Sequence, residues 1–313
     1  DMLEQFNSEL DVDVCIFDEA QDLSSLQYKM AIQLSKAAHK VYIAGDDDQA
    51  IFGWAGADVS KFLSLEGSRK ILPRSYRTPS AIHKLSSSIV KRIRTRYNKE
   101  WQPRKEKGNV EWVSHEEEIN LSGSDTWMLL SRSKFFLTRL KKICRQQGYG
   151  YKMYGQSSID NEFTHAIESW EKLRRDTRIS VSEVKNLIRF ISQKINLPTL
   201  KDYGISDLGF TTAAKQHDWM TVLREIPPEE REYLRACLRN GEKFGTDPRI
   251  LVSTIHQVKG GEADNVVLVT DMGKLSWLNS AKDEEIRVWY VAITRARKNL
   301  FLIRPRTIKF FDI

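Results

Sequence analysis

The feature that most constrains this chain is a rhythm. Short apolar runs of strand length, each closed by acids, glycine or turn residues, alternate with segments of helical periodicity. Val12–Phe17 is one such run, ending in Asp18 and Glu19. Leu26–Leu34 then places Leu26, Met30 and Leu34 four apart on one helical face. Val41–Ala44 is a second run, closed by Gly45, and Ile71–Leu72 ends a third. The spacing predicts a helix over Pro79–Arg96, with Ile82, Leu85, Ile89 and Ile93 on one face and Pro79 in the first turn. Short, continuously apolar strands separated by helices are the pattern of strands buried on both faces, so the expected class is α/β with a largely parallel sheet.

The pattern continues with strands expected at Val110–Val113, Trp127–Leu130 and Tyr151–Tyr154, and a helix over Phe135–Gln147 that Gly148 ends. From about Asp160 to Lys243 the strand signal fades. Ser180–Glu183 reads as a capping box ahead of Val184, Leu187, Ile188, Ile191 and Ile195, and Pro228–Asn240 as a helix stopped by Gly241. The rhythm returns at Ile250–Thr254, Val266–Thr270 and Leu300–Ile303. The helical middle therefore reads as a subdomain inserted into a second α/β unit. With 313 residues and 41% hydrophobic content, the chain can bury a sizeable core. No apolar run approaches the ~20 residues of a membrane span, and Asp1–Leu10 has no signal-peptide character, so a cytoplasmic protein without a membrane partner is expected. Cys15, Cys144 and Cys237 have no paired spacing, which excludes a zinc knuckle or disulfide framework. The net charge of +7 permits nucleic-acid binding without requiring it.

Five segments carry chemistry. In V-C-I-F-D-E-A-Q-D, Val14–Asp22, an apolar strand delivers Asp18 and Glu19 at its carboxyl end, where ligands of open α/β sheets sit. One carboxylate suits Mg²⁺ and its neighbour can polarise a water, although acid pairs also occur as solvated strand ends. In Tyr42–Ala57, a strand ends in Gly45, three acids and Gln49, a residue type able to sense a γ-phosphate or orient water. Phe52 and Trp54 follow on a glycine-rich loop, placed to stack unpaired bases or to pack beneath the loop. In L-P-R-S-Y-R-T-P, Leu72–Pro79, Arg77 can reach a phosphoryl group and Tyr76 can stack on a flat base; both also fit an ordinary surface. In Ser253–Val266, Thr254 closes a strand ahead of His256 and Lys259, which can approach a phosphodiester, while Glu262 can accept from ribose hydroxyls. In Glu284–Arg297, Val288, Val291 and Ile293 bury a helix, and Arg295 and Arg297 are expected to emerge near its end.

In this order and at these intervals, the five segments resemble ATP-dependent DNA helicases of superfamily 1, of the UvrD, PcrA and Rep type. The resemblance covers Val12–Tyr154 and Pro248–Ile303. D-E-A-Q-D is similar to that family's motif II, G-D-D-D-Q-A-I-F-G-W to motif III, S-Y-R to motif IV, H-Q-V-K-G-G-E to motif V and V-A-I-T-R-A to motif VI. It implies two RecA-like parallel-sheet domains of P-loop NTPase type, the first incomplete: residues 1–72 in the first, 73–175 and 244–313 in the second, and 176–243 as a small helical insertion. It implies ATP and Mg²⁺ as cofactors, Asp18 as metal ligand, and Glu19, Gln49, Arg77 and Arg295 as catalytic residues. Tyr76 and Glu262 would bind the nucleotide. Phe52, Trp54, Thr254 and His256 would bind DNA. Hydrolysis would drive 3′ to 5′ movement on single-stranded DNA and unwinding at single-strand/duplex junctions.

The sequence departs from that pattern in places. G-x-x-x-x-G-K-[ST], the phosphate-cradling loop, is absent; Gly273–Lys274 is followed by Leu275. An upstream P-loop segment of the same protein is therefore expected, and residues 1–313 alone are expected to be inactive as an ATPase. Ala55 stands where the family usually has Arg, Ser75 where it has Asn, and Gly261 where Leu is frequent. A non-catalytic single-stranded-DNA-binding or regulatory module that has lost its P-loop is the competing reading. Outside the motifs, Lys91–Lys107 holds eight basic residues against Glu100 and Glu106, interleaved with Tyr97 and Trp101. That run suits either a DNA-tracking patch or a solvated helix end and loop.

Overall fold

The computed structural model describes residues 11–313. Along the chain run β1 (Val14–Phe17), α1 (Ser25–Leu34), β2 (Lys40–Ile43), α2 (Val59–Leu63), β3 (Arg74–Pro79), α3 (Ser80–Val90), β4 (Gln102–Arg104), β5 (Asn109–Val113) and β6 (Trp127–Ser131). Next come α4 (Leu137–Gln147), β7 (Tyr151–Met153), β8 (Gln156–Ser157), α5 (Asn161–Arg174), β9 (Ile179–Ser180), α6 (Val181–Leu187), β10 (Asp202–Tyr203), α7 (Trp219–Val222) and α8 (Pro228–Arg239). The chain closes with β11 (Ile250–Thr254), β12 (Ala263–Val269), α9 (Lys274–Leu278), α10 (Asp283–Ile293) and β13 (Ala296–Ile303). The chain divides into two compact units. One holds the residues up to Ile119 together with Asp125–Thr138 and Ser253–Ile313; the other holds Asn120–Ser124 and Arg139–Val252.

In the first unit, β5, β13, β12 and β6 pair in that order, all parallel, as the apolar runs predict. Every residue of β12 from Asn265 to Val269 is buried. Over this sheet lies α10, whose residues from Glu285 to Ile293 are all buried, so it is a core helix and not a surface one. Trp289 of α10 stacks on Phe311, with ring centroids 4.7 Å apart. A separate parallel pair, β1 and β2, is packed on one side by α1, where Tyr28, Ala31 and Ile32 face Phe17, Val41 and Ile43. Ser24 and Gln27 form a capping box at the start of α1.

The second unit is mainly helical. Trp170 of α5, Val184 and Leu187 of α6, and Leu234 of α8 share one core with Trp219 and Leu223. The Trp170 indole donates to the His217 carbonyl, 3.1 Å, so the largest buried side chain there leaves no unmet donor. Gly148 and Gly241 end α4 and α8 at φ +70° and +79°, the left-handed conformation that glycine adopts without strain.

Several expectations are corrected. The apolar runs predict that β1 and β2 are buried, yet Val14, Ile16 and Tyr42 are exposed, Ile16 at 71%. An apolar run reports burial only if both faces are covered, and here α1 covers one. Ile71 and Leu72 end no strand; both are exposed, and the strand begins at Arg74. The helix expected to reach Arg96 stops at Val90, because the Asp283 carboxylate accepts from the amides of Arg94 and Thr95, at 3.0 and 2.8 Å, and holds that stretch in a turn. The helix at Ser180 likewise stops after Leu187 and tightens into a 3₁₀ turn over Ile188–Phe190, leaving Ile191 and Ile195 outside it.

Candidate functional site

Every segment singled out for its chemistry lies in the first unit. β1 delivers Asp18 and Glu19 at its carboxyl end. The Glu19 amide donates to Asp18 Oδ1, 2.9 Å. Glu19 itself stands at φ +51°, a left-handed conformation that costs a non-glycine residue about 1–3 kcal/mol and turns the chain sharply at the strand tip. Its carboxylate accepts from Gln21 Nε2, and Gln21 Oε1 in turn accepts from the Asp46 amide, 2.9 Å. Gln21 is fully buried, so this one side chain ties the β1 tip to the β2 tip. The approach leaves no room at Gly45, where an added Cβ would lie 2.5 Å from Gln21 Oε1 and 2.9 Å from Phe62.

Beyond β2, Gln49 is half-buried. Its Nε2 donates to Asp46 Oδ2, 2.7 Å, and its Oε1 accepts from Arg295 Nη2, 3.0 Å. The expectation that Arg295 emerges at a helix end is corrected: it is 1% exposed. α10 stops at Ile293, and the guanidinium folds back, donating to the carbonyls of Val291 and Gly261 at 3.0 and 3.1 Å. Burial, reinforced by the nearby Arg77 charge, lowers its pKa to about 10, which still leaves it charged at neutral pH. Arg297 lies in β13 and pairs with Glu262, 3.2 Å. Gly261, at the position where Leu is frequent in the resembled family, is crowded: a Cβ there would meet Met128 Cε at 2.9 Å.

Arg77 leaves β3 half-buried, with Nη1 3.7 Å from Glu262 Oε2. Tyr76 beside it is almost fully exposed, with the Arg74 guanidinium 5.6 Å from its ring centroid. The strand tip acids, Gln49, Arg77, Glu262 and Arg295 thus converge from both halves of the sequence onto one region. No group of three or more His, Cys, Asp or Glu side chains able to ligate a metal forms among the described residues. An ion at Asp18 would therefore keep water and phosphate oxygens in its shell, the habit of Mg²⁺, so hard carboxylate donors of this kind fit it.

A second set lies around the glycine-rich loop. Trp54 is 73% exposed and Phe52 half-buried, their rings edge to face at 6.4 Å. Lys259 Nζ sits 5.0 Å above the Phe52 ring and pairs with Asp22, reaching Glu19 at 4.0 Å. His256 lies 6.4 Å from Phe52, and burial, with the nearby Arg132 charge, lowers its pKa to about 4, so it is neutral at physiological pH. Thr254 is buried, its hydroxyl bonded to Gln257 Oε1, 3.0 Å. The Trp54 amide donates to Glu284 Oε1, 3.3 Å, linking the loop to the start of α10.

Sequence reasoning missed Gln21 and Glu284 as joints of this region, and it read Lys259 as a phosphodiester contact, whereas the structure pairs it with Asp22 and leaves its side chain 8% exposed. Each acts by meeting a residue distant in sequence, or a backbone group, and periodicity carries no signal of that.

Known proteins resemble this chain in sequence. Residues 134–307 match the UvrD-like helicase C-terminal domain, and residues 3–70 match the UvrD/REP helicase N-terminal domain. The chain is 25% identical to F-box DNA helicase protein 1 of Schizosaccharomyces pombe, over 93% of this chain and 34% of that protein. It is 25% identical to DNA helicase II of Rickettsia typhi, over 86% of this chain and 43% of that protein. It is 30% identical to ATP-dependent DNA helicase PcrA of Bacillus subtilis, over 34% of this chain and 14% of that protein. The chain thus spans less than half the length of each of these relatives. With one family domain covering more than half of its residues, the chain belongs to the UvrD-like helicases.

Proposed function

We propose that this chain is part of an ATP-dependent DNA helicase that moves 3′ to 5′ on single-stranded DNA and opens single-strand/duplex junctions. The observation that carries the reading is the Arg295–Gln49 hydrogen bond, which joins the phosphate-sensing residue type after β2 to an arginine 246 positions later. In this proposal residues up to 72 belong to a first RecA-like domain, 73–175 and 244–313 to a second, and 176–243 to a helical insertion. A further part of the proposal is a P-loop segment of the same protein, and the exposed apolar face of Val14, Ile16 and Tyr42 on the β1–β2 pair supports it as a surface that further elements would cover.

Asp18 would hold Mg²⁺, directly or through water, and the bound ion would neutralise charge on the phosphates of ATP. Glu19 acts as the general base that accepts the proton of the attacking water, and Gln21 holds its carboxylate in place. Gln49 orients that water, and its contact with Arg295 couples the two strand tips. Arg77 and Arg295 supply positive charge where the phosphoryl group carries its negative charge. Tyr76 offers an uncovered face for adenine, and Glu262 accepts from the ribose. Phe52 and Trp54 stack unpaired bases, with Thr254 and His256 beside the strand.

The test is phosphate release by the whole protein, with and without single-stranded DNA, in wild type and Glu19→Gln. DNA-stimulated turnover that Glu19→Gln lowers by about 10²-fold or more supports the reading. DNA binding without turnover in the wild type would establish the rival, a non-catalytic DNA-binding or regulatory module.

A further inference from the structure

Three consecutive aspartates, Asp46, Asp47 and Asp48, follow β2, and the last two are 2% and 1% exposed. A carboxylate taken from water costs several kcal/mol unless cations and hydrogen bonds replace its hydration. One short segment meets all three. Lys99 Nζ lies 3.0 Å from Asp46 Oδ1 and 2.9 Å from Asp48 Oδ2, and it also donates to Asp47. Arg96 grips Asp48 with two parallel bonds of 2.8 Å each, and the Tyr97 amide donates to Asp47 Oδ2, 2.8 Å. The segment is itself fastened to α10, where Asp283 accepts from the amides of Arg94 and Thr95 and Arg287 donates to the Thr95 carbonyl.

Asp46 turns this neutralised cluster into a positioning device. Its Oδ1 faces Lys99 and accepts from the Asp48 amide, 3.1 Å, while its Oδ2 accepts from Gln49 Nε2, 2.7 Å. An amide whose NH₂ is held by a carboxylate must turn its oxygen the other way, and that oxygen accepts from Arg295. The links run in series: Lys99, Asp46, Gln49, Arg295. We infer that Lys99 is a positioning residue for ATP hydrolysis, acting through Asp46 to fix the orientation of Gln49 against Arg295. The inference rests on the function proposed above and adds a residue outside the five motifs. It also assigns the middle of the Lys91–Lys107 basic run: Lys99, 14% exposed at its side chain, and Arg96 are spent on internal acids, not on a DNA backbone.

The experiment uses the whole protein and measures DNA-stimulated turnover for Lys99→Met, Lys99→Arg, Gln49→Ala and the Lys99→Met/Gln49→Ala double variant. Lys99→Met should lower kcat by roughly tenfold or more with KM for ATP nearly unchanged, and Lys99→Arg should recover most of the loss. In the Gln49→Ala background, Lys99→Met should add no further loss, because the residue it acts through is gone. An equal fractional loss in both backgrounds overturns the inference, since a purely structural lysine costs the same in either. Unchanged kcat in Lys99→Met overturns it as well. If Lys99→Met fails to fold, Lys99→Gln carries the same comparison: a loss confined to the Gln49 background supports the inference, and equal losses reject it. A wild type without turnover refutes the functional reading itself and takes the inference with it. A wild type that turns over alongside an unaffected Lys99→Met refutes the inference alone.

Discussion

Arg295 donates from Nη2 to Gln49 Oε1 at 3.0 Å, and its other guanidinium nitrogens are taken by the carbonyls of Val291 and Gly261. The arginine is therefore fixed by α10 and the residues before β12, and Gln49 is the one side chain from the β2 tip that it meets. Arg295→Ala should lower DNA-stimulated turnover by about 10³-fold or more. Arg295→Lys should not restore it, because an ammonium cannot reach both carbonyls and the amide at once. Turnover assays on Arg295→Ala, Gln49→Ala and the double variant should give losses well short of additive, as for two groups that act as a unit. Additive losses would mean that the bond has no catalytic consequence.

Trp54 is mostly exposed, with its backbone held by Glu284. Trp54→Ala should weaken single-stranded DNA binding by about 1–3 kcal/mol and leave the thermal unfolding midpoint nearly unchanged. Fluorescence anisotropy with a labelled oligonucleotide and a thermal melt separate the two. A lowered midpoint with unchanged affinity would make Trp54 a packing residue.

His256 carries a sign that can be checked. Burial first, and the Arg132 charge second, lower its pKa from 6.5 to about 4. Between those values the unfolded chain binds a proton that the folded chain does not. Its contribution to stability is thus fully present above about pH 6.5 and falls as the pH drops towards 4, by at most about 1.4 kcal/mol per pH unit. Urea unfolding at pH 5 and pH 7 should show a smaller pH dependence for His256→Gln than for wild type. Equal dependence in the two proteins would reject the assignment.

Gly45 has no room for a side chain, since a Cβ would collide with Gln21 Oε1 and the Phe62 ring. Gly45→Ala should destabilise the protein by about 1–3 kcal/mol, the usual cost of overpacking. Because the displaced group is the amide that holds Glu19, turnover should fall further than stability explains. Chemical denaturation and kcat measured on the same sample test both parts. A stable, fully active Gly45→Ala would show that Gln21 is free to move.

The sequence by itself determined what depends on neighbours along the chain. The apolar runs gave β6, β12 and β13, because a strand buried on both faces must be apolar at successive positions. Gly148 and Gly241 marked helix ends, because the left-handed turn there favours glycine whatever surrounds it. The five motifs carried the family, because their residue types are fixed in order and interval. The tertiary structure decided what depends on residues far apart. The chain placed Arg295 at a helix end, but only packing of α10 against β12 and the β2 tip made it one of the most buried side chains. A run of eight basic residues suits either a DNA patch or a solvated helix end and loop, and the fold sets two of them, Arg96 and Lys99, against Asp46, Asp47 and Asp48, about 50 positions away. Charge and periodicity are local sums, whereas the pairing of a buried cation with a buried anion is set by which elements the fold brings together.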